Sequence, residues 1–370
     1  MAPAAAAPSR RKVLIIDDSP SVGRFLERVL GREPRLEVIG QARDAFEARD
    51  MIKALSPDVL TLDVEMPRMD GLTFLRNLMR LHPLPVVMIS PLTAAGGIEP
   101  LDALEAGAID FCVRRQPVGR ADFDRYAGQV AECVRAASLP RGQGGVTSVP
   151  PRDEVHASLS PTFRVLFEKV RAGRRPAHGL KRLVALGAST GGPEALRQVV
   201  GTLVPDGCAL VLAQHMPARF MEAFAERLSA SSALDIRTAR DGEPIVAGRG
   251  YVAPGDHHLR VVRRRGELLC RLDAGATVSG HRPSVDVLFE SVAQHVGHGA
   301  LGALLTGMGE DGATGLCRMR EAGAVTLAQD EGSSAVWGMP GRAVAIGGVD
   351  RQLPLGELGP ALAGLLRQAA

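Results

Sequence analysis

The chain has 370 residues, 45% of them hydrophobic, 23% charged and only 4% aromatic, with a net charge of +3. That length suits two domains of ordinary globular composition. The mild charge and the scarcity of aromatics argue against a nucleic-acid binder, which needs basic patches and stacking rings. In chain order, apolar runs predict strands at 13–16, 37–40, 59–62, 86–89 and 109–113. Amphipathic stretches between and after them predict helices at 21–30, 46–55, 72–81, 100–106 and 123–137. Such alternation points to a doubly wound α/β fold with a five-stranded parallel sheet. Residues 138–151 are rich in Gly, Pro and Ser without any period, so a linker is expected there. A short basic helix at 161–171 and loop at 173–179 follow.

A second domain is expected from Leu180. It alternates strand and helix as far as residue 228, again as a Rossmann-like parallel sheet. Four short strands at 236–239, 250–253, 258–262 and 268–272 read as a β-hairpin insert. Alternation resumes with a helix at 285–296, a strand at 300–305, a helix at 311–322 and a strand at 324–328. The chain therefore divides into 11–137, 138–179 and 180–370. Its five cysteines are far apart and form no CxxC pair, which predicts free thiols and a reducing, cytoplasmic setting. The alanine-rich start puts its basic residues after the apolar ones, the wrong order for a signal peptide. No run approaches the ~18–20 apolar residues of a membrane span.

Two clusters carry chemistry. Asp17 and Asp18 end the first strand and Asp63 ends the third. In the strand order 2-1-3-4-5 those ends are neighbours, so three carboxylates meet and a hard divalent cation fits among them. Ser90 ends the fourth strand and the cation Arg114 ends the fifth, which completes a plausible phosphoryl-transfer site on Asp63. In the second domain, Gly187-Ala188-Ser189-Thr190-Gly191-Gly192 joins an apolar strand to a helix. A serine on such a turn stands clear of the sheet, with backbone N–H groups nearby for an oxyanion. The turn is not a dinucleotide loop of the GxGxxG type, because Ser189 takes the second glycine's place. It matches the GxSxG elbow, but hydrolases with that elbow run Ser, acid, His, whereas here His215 and then Asp311 follow at later strand ends. Asp311 opens a helix and is expected to cap it. His257, His258, His281, His295 and His298 read as surface or capping residues. Asp330-Glu331 reads as loop, and Arg263-Arg264-Arg265 as a solvated hairpin turn.

The motifs VLIIDDSPSV and LTLDVEMPRMDGL make residues 12–137 resemble a response-regulator receiver domain. LGASTGGPEAL, AQHMP, FAERL, VAPG, RPSVDVLF, LLTGMGEDGATGL and AQDEGSSAVWGMP make residues 180–370 resemble the catalytic domain of the chemotaxis protein-glutamate methylesterase/glutamine deamidase family. The resemblance implies that Asp63 is the phospho-acceptor. It implies that Asp18, Asp63 and the Glu65 carbonyl hold Mg²⁺, with Asp17 assisting through water. It implies Ser189 as nucleophile, His215 as general base and Asp311 as the acid that orients it, with Thr190 and Met308 shaping a site that holds no cofactor. The implied substrates are glutamyl γ-methyl esters, and glutamines, on the cytoplasmic helices of chemoreceptors. The implied phosphodonor is a chemotaxis histidine kinase, and the resting receiver is expected to cover the catalytic face. The competing reading is a phosphorylation-controlled binding module whose hydrolase-like domain serves only for docking. One departure stands out. Such receivers carry Lys-Pro after the fifth strand, and this chain has Arg114-Arg115. A guanidinium is a wide fork and Arg114-Arg115 should be trans, which predicts weaker coupling of phosphorylation to activity. Pro91 directly after the switch residue Ser90 restrains it.

Overall fold

The computed structural model describes residues 10–91, 100–115, 117–138, 179–205 and 207–368. The expected linker, its basic helix and the alanine-rich start lie outside the described residues. The chain forms two compact units, with the first unit's described residues ending at 138 and the second's beginning at 179.

The first unit is the predicted five-stranded sheet. Its strands are β1 (Arg11–Ile16), β2 (Leu36–Ala42), β3 (Val59–Leu62), β4 (Val86–Pro91) and β5 (Asp110–Arg114), in the order β2-β1-β3-β4-β5. All pairs are parallel. The helices are α1 (Pro20–Leu30), α2 (Ala45–Leu55), α3 (Gly71–Leu81), α4 (Pro100–Glu105) and α5 (Arg120–Ala137). Val13, Leu14, Ile16, Leu60 and Leu62 are fully buried, as continuous apolar strands covered on both faces must be. Side-chain caps start two helices. Asp44 accepts from the N–H groups of Phe46 and Glu47, and Asp70 accepts from Thr73.

The second unit is a seven-stranded, all-parallel sheet. Its strands are β6 (Arg182–Ala188), β7 (Cys208–Gln214), β8 (Asp235–Thr238), β9 (Arg249–Val252), β12 (Ala300–Leu304), β13 (Val325–Gln329) and β14 (Arg351–Leu353). They lie in the order β14-β13-β12-β6-β7-β9-β8. Helices α6 (Gly192–Val200), α7 (Ala218–Ala230), α8 (Val285–His295), α9 (Ala313–Glu321), α10 (Met339–Ala345) and α11 (Leu355–Gln368) accompany it. The remaining strands, β10 (His258–Arg264) and β11 (Glu267–Asp273), form an antiparallel hairpin. The chain builds outward from β6 to β7 and then returns to β12 on β6's other side. The carboxyl ends of β6, β7 and β12 therefore adjoin at a topological switch point, where open α/β sheets hold their ligands.

Two expectations change. The hairpin insert is only β10 and β11; the other two short strands, β8 and β9, pair in parallel and extend the main sheet. Sequence alone could not separate them, because the direction in which a strand pairs leaves no local mark. The hairpin closes through Arg265 (φ 51) and Gly266 (φ 89), a two-residue turn with both φ positive, so the arginine run does sit at a solvated turn. The hairpin is also part of the core, since Leu259, Val261 and Cys270 are fully buried with Leu288 and Val292 of α8. The second change concerns Asp311. It does not cap α9, whose N-cap is Gly312 (φ 88); its carboxylate serves α8 instead.

Candidate active site and receiver site

Ser189 follows the last residue of β6. Its N–H donates to the Thr306 carbonyl (3.0 Å), and its carbonyl accepts from Gly192 N–H (2.8 Å) and the Gln214 amide (2.9 Å). The turn is thus tied to both neighbouring strand ends. Gly191 has φ 74, which a side chain rarely adopts. A Cβ on Gly307 would stand 2.9 Å from the Ser189 Cβ, so only glycine lets the loop after β12 lie this close. His215 follows β7, and its N–H donates to the Ala188 carbonyl (3.2 Å).

These anchors bring three side chains into line. Ser189 Oγ lies 3.1 Å from His215 Nδ1, and His215 Nε2 lies 2.8 Å from Asp311 Oδ2. The buried Asp311 carboxylate takes three further hydrogen bonds at the start of α8. Ser284 Oγ–H and Asp286 N–H donate to Oδ1 (2.7 and 3.2 Å), and Val285 N–H donates to Oδ2 (2.7 Å). Burial pushes the pKa of Asp311 up, but the hydrogen bond and charge of His215 and the donors at Ser284 and Val285 outweigh it, and the net shift is downward. A helix N-terminus favours the same anion. An anionic acceptor at Nε2 assigns the ring proton to that nitrogen. Nδ1 then offers its lone pair to the Ser189 hydroxyl. That is the arrangement a general base needs.

The ring of His281 lies flat on that of His215, with centroids 3.7 Å apart and planes at 6°. Burial first, then the charge of His215, lowers the His281 pKa to about 4 against an opposing effect of Asp311. His281 is therefore neutral near pH 7. Thr190 is buried, and its carbonyl accepts from Thr306 Oγ–H (3.0 Å). Met308 is half-buried on the loop between β12 and Asp311.

In the first unit, ligand atoms of Asp17, Asp18 and Asp63 all lie within 4.8 Å of one another. Asp17 and Asp63 are buried and Asp18 is exposed. Burial, then repulsion from Asp63, raises the Asp17 pKa to about 7, and Arg114 and the Ser19 N–H lower it only in part. Two buried carboxylates and a third beside them are a donor set suited to a hard divalent cation. Arg114 Nη1 reaches Asp17 Oδ2 (3.3 Å) and Asp63 Oδ2 (3.2 Å), so the guanidinium does enter the pocket. Arg115 turns away to a forked pair with Asp122 and lies over the Tyr126 ring. The Arg114–Arg115 bond is trans. Asp63 Oδ1 accepts from Val64 N–H (2.7 Å) and, at 3.4 Å, from Glu65 N–H. Ser90 is buried at the end of β4, in register with Val113.

Residues 184–362 match the family model described as CheB methylesterase, and residues 13–118 match the response regulator receiver domain. A protein-glutamate methylesterase/protein-glutamine glutaminase 1 of Hahella chejuensis is 47% identical over 350 residues, covering 94% of both chains. A protein of the same name from Xanthomonas campestris is 46% identical over 363 residues, 97% of this chain and 98% of its own. The chain belongs to the CheB methylesterase family. Among solved structures, the Thermotoga maritima CheB methylesterase catalytic domain aligns at 33% identity with a TM-score of 0.49, covering 51% of this chain and all of its own. The chain is an enzyme of the methylesterase class with a response regulator receiver domain. Among the described residues no helix is long and apolar enough to cross a membrane.

Several residues of this CheB-type site escaped the reading of the sequence. His258 and His281, taken as surface or capping, are respectively buried beneath the site and stacked on His215. Gln214 clamps Ser189, and Gln329 accepts from Thr306 N–H (2.8 Å) beneath the same loop. Ser284 had a usable signal: a serine directly before an apolar helical run is an N-cap pattern. His258 had none, because a polar residue at a strand start reads as loop. Asp330 closes its own turn by accepting from Ser333 N–H and Oγ–H. None of the five cysteines is in a disulfide.

Proposed function

We propose that the chain hydrolyses glutamyl γ-methyl esters, and deamidates glutamines, on the cytoplasmic helices of chemoreceptors, with Ser189, His215 and Asp311 as the catalytic set. The observation that carries the reading is the hydrogen-bonded line from Ser189 Oγ through His215 to the Asp311 carboxylate. Ser189 Oγ attacks the ester carbonyl carbon while its proton passes to His215 Nδ1. The oxyanion faces backbone N–H groups of the turn after β6, beginning with Thr190. Collapse of the tetrahedral adduct expels methoxide, which takes the proton from Nδ1 and leaves as methanol. Water then attacks the acyl-enzyme, gives its proton to Nδ1, and releases glutamate and the Ser189 hydroxyl. An amide follows the same path and yields ammonia. Asp311 holds His215 in the tautomer with the proton on Nε2 and stabilises the imidazolium formed at each attack. Thr190 and Met308 shape the pocket.

Regulation is assigned to residues 11–137, joined by a linker at 138–179 to a catalytic domain at 180–370. Asp63 accepts a phosphoryl group from a chemotaxis histidine kinase. Asp18, Asp63 and the Glu65 carbonyl would hold Mg²⁺, with Asp17 assisting through water, and the bound ion would supply charge neutralisation for the phosphoryl group. Arg114 and Ser90 then contact the phosphoryl oxygens. The unphosphorylated receiver restrains the catalytic domain in a cytoplasmic enzyme. The test is methanol release from receptor methylated in vitro. Ser189→Ala should lose a factor on the order of 10⁴–10⁶ while remaining folded. A variant within tenfold of wild type removes Ser189 from its role.

A further inference from the structure

We propose that Ser284, itself held by His258, is a positioning residue for the reaction: it fixes the carboxylate of Asp311 and, through it, the plane of His215. The inference rests on the reading of Asp311 and His215 as the orienting acid and the base. Ser284 is fully buried and is the N-cap of α8. A cap serine normally uses only its oxygen, as an acceptor. Here that oxygen accepts from Val287 N–H (3.3 Å), and the single hydroxyl proton goes to Asp311 Oδ1 at 2.7 Å. Of the donors to the carboxylate this is the one that a side-chain substitution can remove without touching His215, because the others on α8 are backbone groups.

The serine is fixed from behind as well. Ser284 N–H donates to His258 Nδ1 (3.1 Å), and His258 Nε2–H donates to the Ala276 carbonyl (2.9 Å). Both ring nitrogens of this fully buried histidine are thereby committed, with the proton on Nε2 and the lone pair on Nδ1. A relay runs from His258 on β10 to the Ser284 backbone, from the Ser284 hydroxyl to Asp311, and on to His215 and Ser189. Only Asp311 Oδ2 faces His215. Without the Ser284 proton, Oδ1 keeps one long bond, to Asp286 N–H, and the carboxylate can rotate about its Cβ–Cγ axis. The imidazolium then meets a less ordered anion, a loss confined to the transition state.

Two substitutions separate this role from capping. Ser284→Gly keeps most of the cap and loses the hydroxyl; Ser284→Ala loses both. In the full chain, with methylated receptor as substrate, both should lower kcat about ten- to a hundredfold, the range for a hydrogen bond to a charged group. KM should be unchanged. The Ala variant should melt lower than the Gly variant yet be no slower. A purely structural role gives the opposite pattern, with kcat falling in step with the melting temperature and the Gly variant near wild type; that result overturns the proposal. Ser189→Ala is run beside them. If it retains methanol release, the assignment of the catalytic set fails. If it is inactive while both Ser284 variants keep kcat within twofold, only the positioning role fails.

Discussion

Asp311→Asn is the substitution whose consequence the geometry constrains most tightly. The carboxylate receives four donors: Ser284 Oγ–H and Asp286 N–H at Oδ1, Val285 N–H and His215 Nε2–H at Oδ2. An asparagine has one acceptor oxygen and one NH₂ group, so either orientation sets NH₂ against two of these donors. With NH₂ at the Oδ2 position, His215 must move its proton to Nδ1, which then faces the Ser189 hydroxyl and cannot accept from it. With NH₂ at the Oδ1 position the tautomer survives, but Asp286 N–H loses its acceptor and the imidazolium faces a neutral amide. Each orientation leaves one backbone N–H without its acceptor, Val285 in the first and Asp286 in the second, at a cost of about 1–3 kcal/mol, so the two arrangements compete. Either way the base is impaired, and the corresponding substitution in serine hydrolases lowers kcat about 10⁴-fold. The assay is methanol release at saturating methylated receptor, with thermal melting alongside. A loss near 10⁴ in kcat with a modest fall in melting temperature is expected. A variant within tenfold of wild type would refute the orienting role of Asp311.

Three further outcomes follow from named groups. The Asp17 carboxyl titrates near 7, so between pH 3.8 and 7 the folded receiver binds a proton that the unfolded chain has lost, and this group's contribution to stability falls as pH rises through 7. A cation needs that carboxylate ionised, so calorimetry on the full chain should find Mg²⁺ binding tighter at pH 8 than at pH 6; equal affinities would count against the site. His281, held at about 4, gives the reverse sign: its contribution is complete above pH 6.5 and is lost as pH falls toward 4, on the order of 1–2 kcal/mol after allowance for partial exposure. His281→Phe keeps a stacked ring and should flatten that acid-side loss in melting experiments; an unchanged pH dependence would place the titration elsewhere. Arg114 bridges Asp17 and Asp63, and Arg115 is anchored to Asp122. Arg114→Lys with Arg115→Pro should therefore increase the fold-activation by a small-molecule phosphodonor. Equal activation in both proteins would mean that the arginine does the lysine's job.

Both sheets were legible in the sequence because their strands are buried on both faces and read as unbroken apolar runs, such as 13–16 and 183–186. The acids and the serine were legible because they stand directly after those runs. What stayed hidden depends on contacts between distant segments. The strand β14 is three mostly exposed residues, and α10 follows a Gly- and Ser-rich loop, so neither carries a period. Strands β8 and β9 could not be told from the hairpin, because pairing direction leaves no local mark. Asp311 looked like a cap for its own helix because spacing along the chain favours that reading. Its partners come from Ser284, Val285 and Asp286, 25 to 27 residues earlier. The stacking of His281 on His215 is likewise a product of tertiary packing alone.

The central claim is that Ser189, His215 and Asp311 act as one catalytic unit, and a double-mutant comparison of methanol release tests it most directly. Groups that work as a unit give non-additive losses, since removing the nucleophile leaves the orienting acid nothing to orient. Ser189→Ala combined with Asp311→Asn should be no slower than Ser189→Ala alone, both resting at the residual rate supplied by substrate binding and the oxyanion donors. Losses that multiply, so that the double variant falls a further 10⁴-fold, would contradict the account.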